Sequence, residues 1–273
     1  MNKKAPIGIF DSGIGGLTVA NAIQKLMPNE RIIYFGDTAH LPYGEKSKQA
    51  IIKYSKAITR FLLEKECKAI VIACNTASAF AGKDVEEIAN GLIVQNVIDP
   101  VAQRAAENYQ GGKVGVIATK GTIRSRNYPK AIHKIDPDIK VGTLATPLLV
   151  PMIEEGYYNN NISKTIIKDY LSKKSLSGLT QLILGCTHFP LIENEVASIF
   201  KEQKKKVRIL NSANIVAESL KQELKQAKLL ASKKNDDMHE FYVSDFTPSF
   251  QKSTEQFFGE SIKLKELNFW KEE

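Results

Sequence analysis

The sequence predicts an α/β protein made of two similar open-sheet α/β domains, with the active site in the cleft between them. Three observations carry that expectation. Short runs rich in β-branched residues alternate with amphipathic stretches of helical period, the pattern of parallel sheets covered by helices. Two segments are near copies, Ile70-Val71-Ile72-Ala73-Cys74-Asn75-Thr76 and Leu182-Ile183-Leu184-Gly185-Cys186-Thr187-His188, each an apolar run ending in a cysteine followed by small hydrogen-bonding residues. The run Lys113–Ala118 with its Thr119–Ser125 turn repeats the strand and turn at Ile7–Phe10, at nearly the offset that separates the two cysteines. Ligands of open α/β sheets bind beyond the carboxyl ends of the strands. Two thiols delivered there can meet across one ligand.

Composition narrows the setting. A chain of 273 residues, 43% hydrophobic and 25% charged, has material for two cores, and the expected domains are residues 1–98 with 210–273, and residues 99–209. No apolar run approaches the roughly 20 residues of a membrane span, and Met1 to Pro6 lead into a strand without a signal-peptide apolar region. Three cysteines are too few for a disulfide framework and suit a reducing compartment, so the expected location is cytoplasmic. The formal charge of +8 is densest from Lys201 to Lys206, with Lys221, Lys225, Lys228, Lys233 and Lys234 following. Acidic and amide residues, not aromatics, separate these lysines, which reads as a solvated helical face rather than a nucleic-acid site.

Along the chain, the first strand at Ile7–Phe10 ends in Asp11-Ser12-Gly13-Ile14-Gly15-Gly16-Leu17-Thr18. Its glycines allow close backbone approach and the helix from Leu17 offers N–H groups, so the turn reads as a carboxylate or phosphate cradle. Thr18 stands where a dinucleotide fingerprint needs its last glycine, and the Walker Gly-Lys-Ser/Thr is absent. Glycines alone would mark an ordinary tight turn; Asp11 and Ser12 beside them favour a site. The strand Arg31–Gly36 runs into Asp37-Thr38-Ala39-His40-Leu41-Pro42-Tyr43-Gly44, a loop with an acid, an imidazole and a phenol, although Asp and Pro-Gly are also plain turn material. Ile51, Tyr54, Ser55, Ile58, Phe61 and Leu62 form the core face of a helix, and Cys67, lacking a companion motif, reads as structural.

A helix over 77–90 and a strand over 92–98 follow, with the crossing to the second domain at Asp99-Pro100. Beyond the repeated strand and turn come a strand at 141–146, the stretch Leu148–Gly156, a lysine-rich helix and the second cysteine strand. Pro190 fits the first turn of a helix through Ile192, Val196 and Ile199. A strand at 207–210, a helix from Ala213 to Leu230, a strand at 240–244 and a helix capped by Thr247 are expected to complete the first domain.

The chemistry follows from the thiols. A helix N-terminus behind a cysteine favours thiolate by only about 0.3–1 kcal/mol when exposed, less than the ~1.36 kcal/mol of one pKa unit. Each thiol therefore needs a further partner. His188 stands two residues beyond Cys186, and Asp11 ends a strand that can neighbour the one bearing Cys74; Asn75, Thr76 and Thr187 supply short donors suited to a carboxylate or ammonium. Metal-ligand spacing and Cys-x-x-Cys are both absent, so neither a metal nor a redox pair is expected. A single nucleophilic cysteine would leave its twin unexplained, and two buried structural cysteines are the plain alternative.

Five ordered motifs carry a resemblance over essentially the whole chain: Gly8 to Leu17, Tyr34 to Thr38 with Pro42-Tyr43-Gly44, Ala73 to Ala77, Pro151 to Gly156, and Leu184 to Pro190. Together they resemble the glutamate branch of the cofactor-independent aspartate/glutamate racemase superfamily. The resemblance implies interconversion of L- and D-glutamate without a cofactor, with Cys74 and Cys186 as acid/bases on opposite faces of the α-carbon. It implies that Asp11 assists Cys74, that His188 assists Cys186, and that Glu154 is a functional carboxylate. Asp11, Ser12, Tyr43, Gly44, Asn75, Thr76, Thr187 and His188 match its ligand-binding positions, and Asp37 a weaker, structural one. A homodimer and supply of D-glutamate for peptidoglycan are further implications. Two departures stand out: Asn211 where the pattern has Asp, and Thr146 where relatives often have Cys. An aspartate racemase, a superfamily decarboxylase or a non-catalytic ligand- or nucleic-acid-binding module with the same cleft are the alternatives.

Overall fold

Residues 2–233 and 238–270 are described by the computed structural model; Met1, Lys234 of the predicted lysine face, and the last residues of the predicted first domain lie outside the described residues. The chain opens with β1 (Ile7–Asp11), α1 (Leu17–Leu26), β2 (Ile32–Gly36), α2 (Lys48–Glu64), β3 (Ala69–Ile72), α3 (Asn75–Ala89) and β4 (Ile93–Asn96). It continues through α4 (Asp99–Glu107), β5 (Lys113–Ala118), α5 (Lys120–Ser125), α6 (Asn127–Ile135), β6 (Val141–Ala145), α7 (Leu149–Glu154), α8 (Asn161–Leu171) and β7 (Leu179–Gly185). Then come α9 (Glu193–Glu202), β8 (Arg208–Asn211), α10 (Ser212–Gln226), β9 (Glu240–Val243), α11 (Pro248–Phe258) and β10 (Leu264–Glu266).

These elements build the expected α/β architecture of two parallel sheets, ordered β10-β9-β2-β1-β3-β4 and β6-β5-β7-β8. The second sheet repeats the order of four adjacent strands in the first, so β3 and β7, which lead to the two cysteines, hold equivalent places beside β1 and β5. The repeat visible in the sequence is therefore a repeat of topology. Strands β1, β2 and β3 are buried throughout, as strands covered on both faces must be.

The expectation of separate cores needs correction. One apolar cluster joins Ile7, Ile9 and Val71 of the first sheet to Leu182 and Leu184 of the second, with Val216 and Leu220 of α10 and Phe257 of α11 also in it. Further clusters cover the outer face of each sheet. Asp99-Pro100, where the crossing is expected, opens α4, which connects β4 of the first sheet to β5 of the second; a proline in the first turn forfeits no helical hydrogen bond. One boundary differs from the sequence reading. Helix α10 stops short of Leu230, with Lys228 in a left-handed conformation at φ 57°. Thr247 caps α11 as expected, its hydroxyl accepting the Phe250 N–H at 3.1 Å.

A buried ion pair ties the opposite end of the first sheet. Lys68 Nζ lies 2.5 Å from Glu30 Oε2 and donates to the carbonyls of Lys3 at 2.6 Å and Leu229 at 2.9 Å, while Glu30 Oε1 accepts the Ala231 N–H at 2.8 Å. The segment after α10 is thereby held at the start of β3. The lysines from 201 to 206 are exposed, and no helix among the described residues is long and apolar enough to cross a membrane.

Glu30→Ala leaves the Lys68 ammonium buried without its counter-charge, so urea denaturation should show a loss of about 3–5 kcal/mol in unfolding free energy. A loss below about 1 kcal/mol, the range of an exposed pair, would mean that this tie does not hold the sheet.

Candidate active site

A cavity of about 430 Å³ lies at the carboxyl ends of strands from both sheets. Ser12 and Gly13 reach it from β1, Leu41 to Glu45 from the loop after β2, and Cys74 to Thr76 from β3. The other sheet supplies Thr119 and Lys120 after β5, residues between Thr146 and Glu154 after β6, and Cys186 to His188 after β7. Of the site residues expected from sequence, all but Asp11 line this one cavity.

Cys74 is buried and acts as the N-cap of α3, its sulfur accepting the Ala77 N–H at 3.4 Å. Its thiol donates to Ser12 Oγ at 3.7 Å. Burial, then the carboxylate of Asp11, push this thiol up to about 12, against the pull of the Ala77 N–H and Ser12. Cys74 is accordingly a thiol at neutral pH.

Asp11 explains the glycine-rich turn, and corrects its reading. The expected cradle for a ligand anion is filled by the chain's own carboxylate: Asp11 Oδ2 accepts the N–H groups of Gly13 at 3.2 Å and Gly16 at 3.0 Å. A Cβ at Gly16 would lie 2.4 Å from Asp11 Cβ, so only glycine lets the turn close over this side chain. Asp11 is 0% exposed and its Oδ1 has no partner. Burial raises its carboxyl above the usual carboxylate range, opposed by His188 and the backbone N–H groups of the turn. Asp11 does not line the cavity, and its carboxylate bears on Cys74 through charge.

Cys186 has a different helper. Its sulfur lies 3.8 Å from His188 Nδ1, and His188 Nε2 lies 2.9 Å from Glu154 Oε1. Burial works against the imidazolium, but hydrogen bonds and charge from Cys186 and Glu154 outweigh it and hold His188 up to about 10. The ring is thus held as an imidazolium beside the Cys186 sulfur. Glycine again makes the contact possible: a Cβ at Gly15 would fall 2.3 Å from His188 Cε1. Thr18 Oγ1 also donates to the Thr187 carbonyl at 2.8 Å, so the Asp11 turn is fastened to the Cys186 loop.

Between the cysteines lie polar groups for a ligand. Asn75 Oδ1 accepts the Tyr128 hydroxyl at 2.7 Å, leaving the buried Nδ2 without a partner at the cavity wall. The hydroxyls of Thr76, Thr119 and Thr122 sit 3.0–3.1 Å apart in a triangle that bridges the two sheets. Gly44 packs on Thr119, where a Cβ would approach to 2.9 Å. Tyr43 lines the cavity, but its phenol donates away from it, to Asp37 Oδ2 at 2.6 Å. Asp37 itself does not line the cavity.

Thr119, Lys120 and Glu45 also line the cavity and were missed in the sequence, with Lys120 and Glu45 paired at 3.3 Å across its rim. The recurrence of the first strand and turn at Lys113–Ser125 was the signal that could have found Thr119 and Lys120. The two departures have local explanations. Thr146 lines the cavity and donates to the Ala118 carbonyl at 3.3 Å. Asn211 caps α10, accepting the Ala213 N–H at 3.0 Å while its amide donates to Glu193 Oε2 at 2.6 Å. An Asp there would set two carboxylates together.

Residues 17–220 match the Asp/Glu/hydantoin racemase family. The glutamate racemase of Neisseria meningitidis serogroup C is 40% identical over 267 residues, covering 98% of this chain and 97% of the relative. That of Geobacter metallireducens is 42% identical over 253 residues, covering 93% and 92%. The crystal structure of the Francisella tularensis glutamate racemase in complex with D-glutamate superposes with a TM-score of 0.90 at 39% identity, covering 98% of this chain and 99% of that one.

The His188 network has a definite pH signature. Since the folded value is about 10 against an ordinary 6.5, its stabilisation is complete below about pH 6.5 and is lost as pH rises through about 10. Nitrogen-15 NMR should show the imidazolium persisting at pH 8, and Glu154→Gln should bring its titration to lower pH; titration near 6.5 in the unmodified protein would contradict the network. Gly15→Ala should destabilise the fold by about 1–3 kcal/mol through overpacking and displace the His188 ring signals. Unchanged signals would show that the turn does not clamp the ring.

Proposed function

The chain belongs to the Asp/Glu/hydantoin racemase family, and from that premise we propose that it interconverts L- and D-glutamate by a two-base mechanism using Cys74 and Cys186. The observation that carries the reading is the pair of cysteines at equivalent strand tips, lining one cavity from two sheets. Cavity size agrees: about 430 Å³ is in the lower part of the range for small-ligand sites, roughly 300–1,000 Å³. The substrate assignment follows the glutamate racemases at about 40% identity over nearly the whole chain.

In one direction the Cys186 sulfur, as thiolate, takes the α-proton: the C–H bond breaks and an S–H bond forms. The Cys74 thiol then gives its proton to the opposite face, so its S–H bond breaks as the new C–H bond forms. The carbon inverts and the thiols exchange protonation states. The reverse direction uses the same groups with exchanged roles. His188 stabilises the Cys186 thiolate, while the Asp11 charge favours the protonated form of Cys74.

No covalent electron sink is invoked, so charge developing on the α-carboxylate must be met by fixed donors. In this reading the Asn75 amide and the Thr76 and Thr119 hydroxyls, which line the cavity, meet the two substrate carboxylates. Ser12 Oγ stands 3.7 Å from the Cys74 sulfur, and Thr187 Oγ1 lies 3.4 Å from Nδ1 of the His188 that flanks Cys186. We further propose that residues 1–98 with 210–273 and residues 99–209 move as the two units enclosing the substrate, that the protein is a cytoplasmic homodimer, and that its D-glutamate supplies peptidoglycan.

Incubation of reduced protein with L-glutamate in D₂O, without added cofactor, should give loss of optical activity together with deuterium at the α-carbon. Folded protein that causes neither would refute the racemase reading, and faster turnover of aspartate in a parallel assay would refute the substrate. Cys74→Ser and Cys186→Ser should each lower racemisation by at least ~10²–10⁴-fold, the contribution of a positioned acid or base. Full activity in either variant would break the two-base scheme.

A further inference from the structure

We infer that the segment from β10 to Trp270 is a positioning element for the active site, acting through Asp37 on the loop that carries Tyr43 and Gly44. The kinetic part of this inference rests on the proposed racemase reading; its structural part does not. Asp37 follows β2 and is 0% exposed. A buried carboxylate is costly unless hydrogen bonds replace its water. Asp37 finds them in side chains from distant parts of the chain. Its Oδ2 accepts the Tyr43 hydroxyl at 2.6 Å and faces His40 Nδ1 at 3.0 Å; its Oδ1 accepts Ser244 Oγ and the Trp270 indole N–H, both at 2.8 Å.

Two of these partners belong to the active-site loop, and the other two to the end of β9 and the segment beyond β10. Ring packing reinforces the division. His40 stacks on Tyr54 at 3.9 Å, and the Trp270 ring closes against both, at 4.7 Å and 5.3 Å. Phe269 packs on Phe35 at 4.9 Å, which seats the segment under the first sheet. The Leu267 N–H donates to the Val243 carbonyl at 2.9 Å, continuing the attachment of β10 to β9.

Trp270 lines no part of the cavity, whereas Tyr43 does, with its phenol turned back toward the shared carboxylate. Removing the indole N–H leaves Asp37 short of one donor, and the compensating shift falls on His40 and Tyr43. The wall formed by Tyr43 and Gly44 then moves relative to Thr119, on which Gly44 packs. Cys74 and Cys186 sit on other segments and keep their places. Trp270 is thus a positioning residue whose effect is on substrate binding.

Trp270→Phe keeps the ring contacts and removes only the donor. In the full chain it should raise KM for glutamate by about five- to tenfold while kcat stays within about twofold, the pattern of lost uniform binding. Trp270→Ala should raise KM further. A folded Trp270→Phe protein of lower thermal stability but unchanged KM would show that the segment only packs, and would overturn the proposal. A double-mutant cycle with Tyr43→Phe, read by urea denaturation, needs no substrate. The two losses should be non-additive, because both residues donate to one carboxylate; additivity would overturn the coupling. If the unmodified protein does not racemise glutamate, the proposed function fails, and the cycle alone decides this inference.

Discussion

The contact between the glycine turn and His188 is where two sheets become a single site. Gly15 permits the imidazole ring of the second sheet to lie against the turn of the first, and Gly16 lets the same turn close over Asp11. One short segment therefore sets both helpers. It buries the carboxylate that bears on Cys74, and it backs the imidazolium that bears on Cys186. A side chain at either glycine would have to displace one of them. The continuous apolar cluster between the sheets and the Thr18 bond to the Thr187 carbonyl keep that contact closed.

A repeated topology with unlike helpers gives a symmetric placement and an asymmetric charge. Equivalent strands deliver both sulfurs to one cavity, yet one faces a buried carboxylate and the other a histidine braced by Glu154. In the proposed reaction this matters because the two thiols must be in opposite protonation states at any instant. Identical surroundings would favour the same state in both. Here the neighbours differ: Asp11 bears on Cys74 and His188 on Cys186.

Much of this was legible in the residue order. Apolar runs ending in Cys74 and Cys186 had to be buried strands with their tips at a ligand face, and the recurrence of strand and turn announced a second sheet of similar build. The capping role of Asn211 was not read from the sequence, where it stood only as a departure from the family pattern. The start of α4 was hidden because Asp99-Pro100 reads as a break as readily as a first turn. The role of Asp11 was only half legible. Nothing in Asp-Ser-Gly indicates whether the N–H groups of a turn hold a ligand or the side chain five residues before Gly16.

By itself the sequence determined the strand and helix pattern, the strand-tip cysteines and the family motifs, since hydrophobic period and turn chemistry act over a few residues. Tertiary structure decided which donor meets which buried acceptor. Asp11 is claimed by its own turn, the Tyr43 phenol goes to Asp37 instead of the cavity, and the Trp270 indole reaches Asp37 across a separation of 233 residues. Each buried carboxylate must be satisfied by whatever donors packing brings within about 3 Å. That choice exists only once distant segments are in contact.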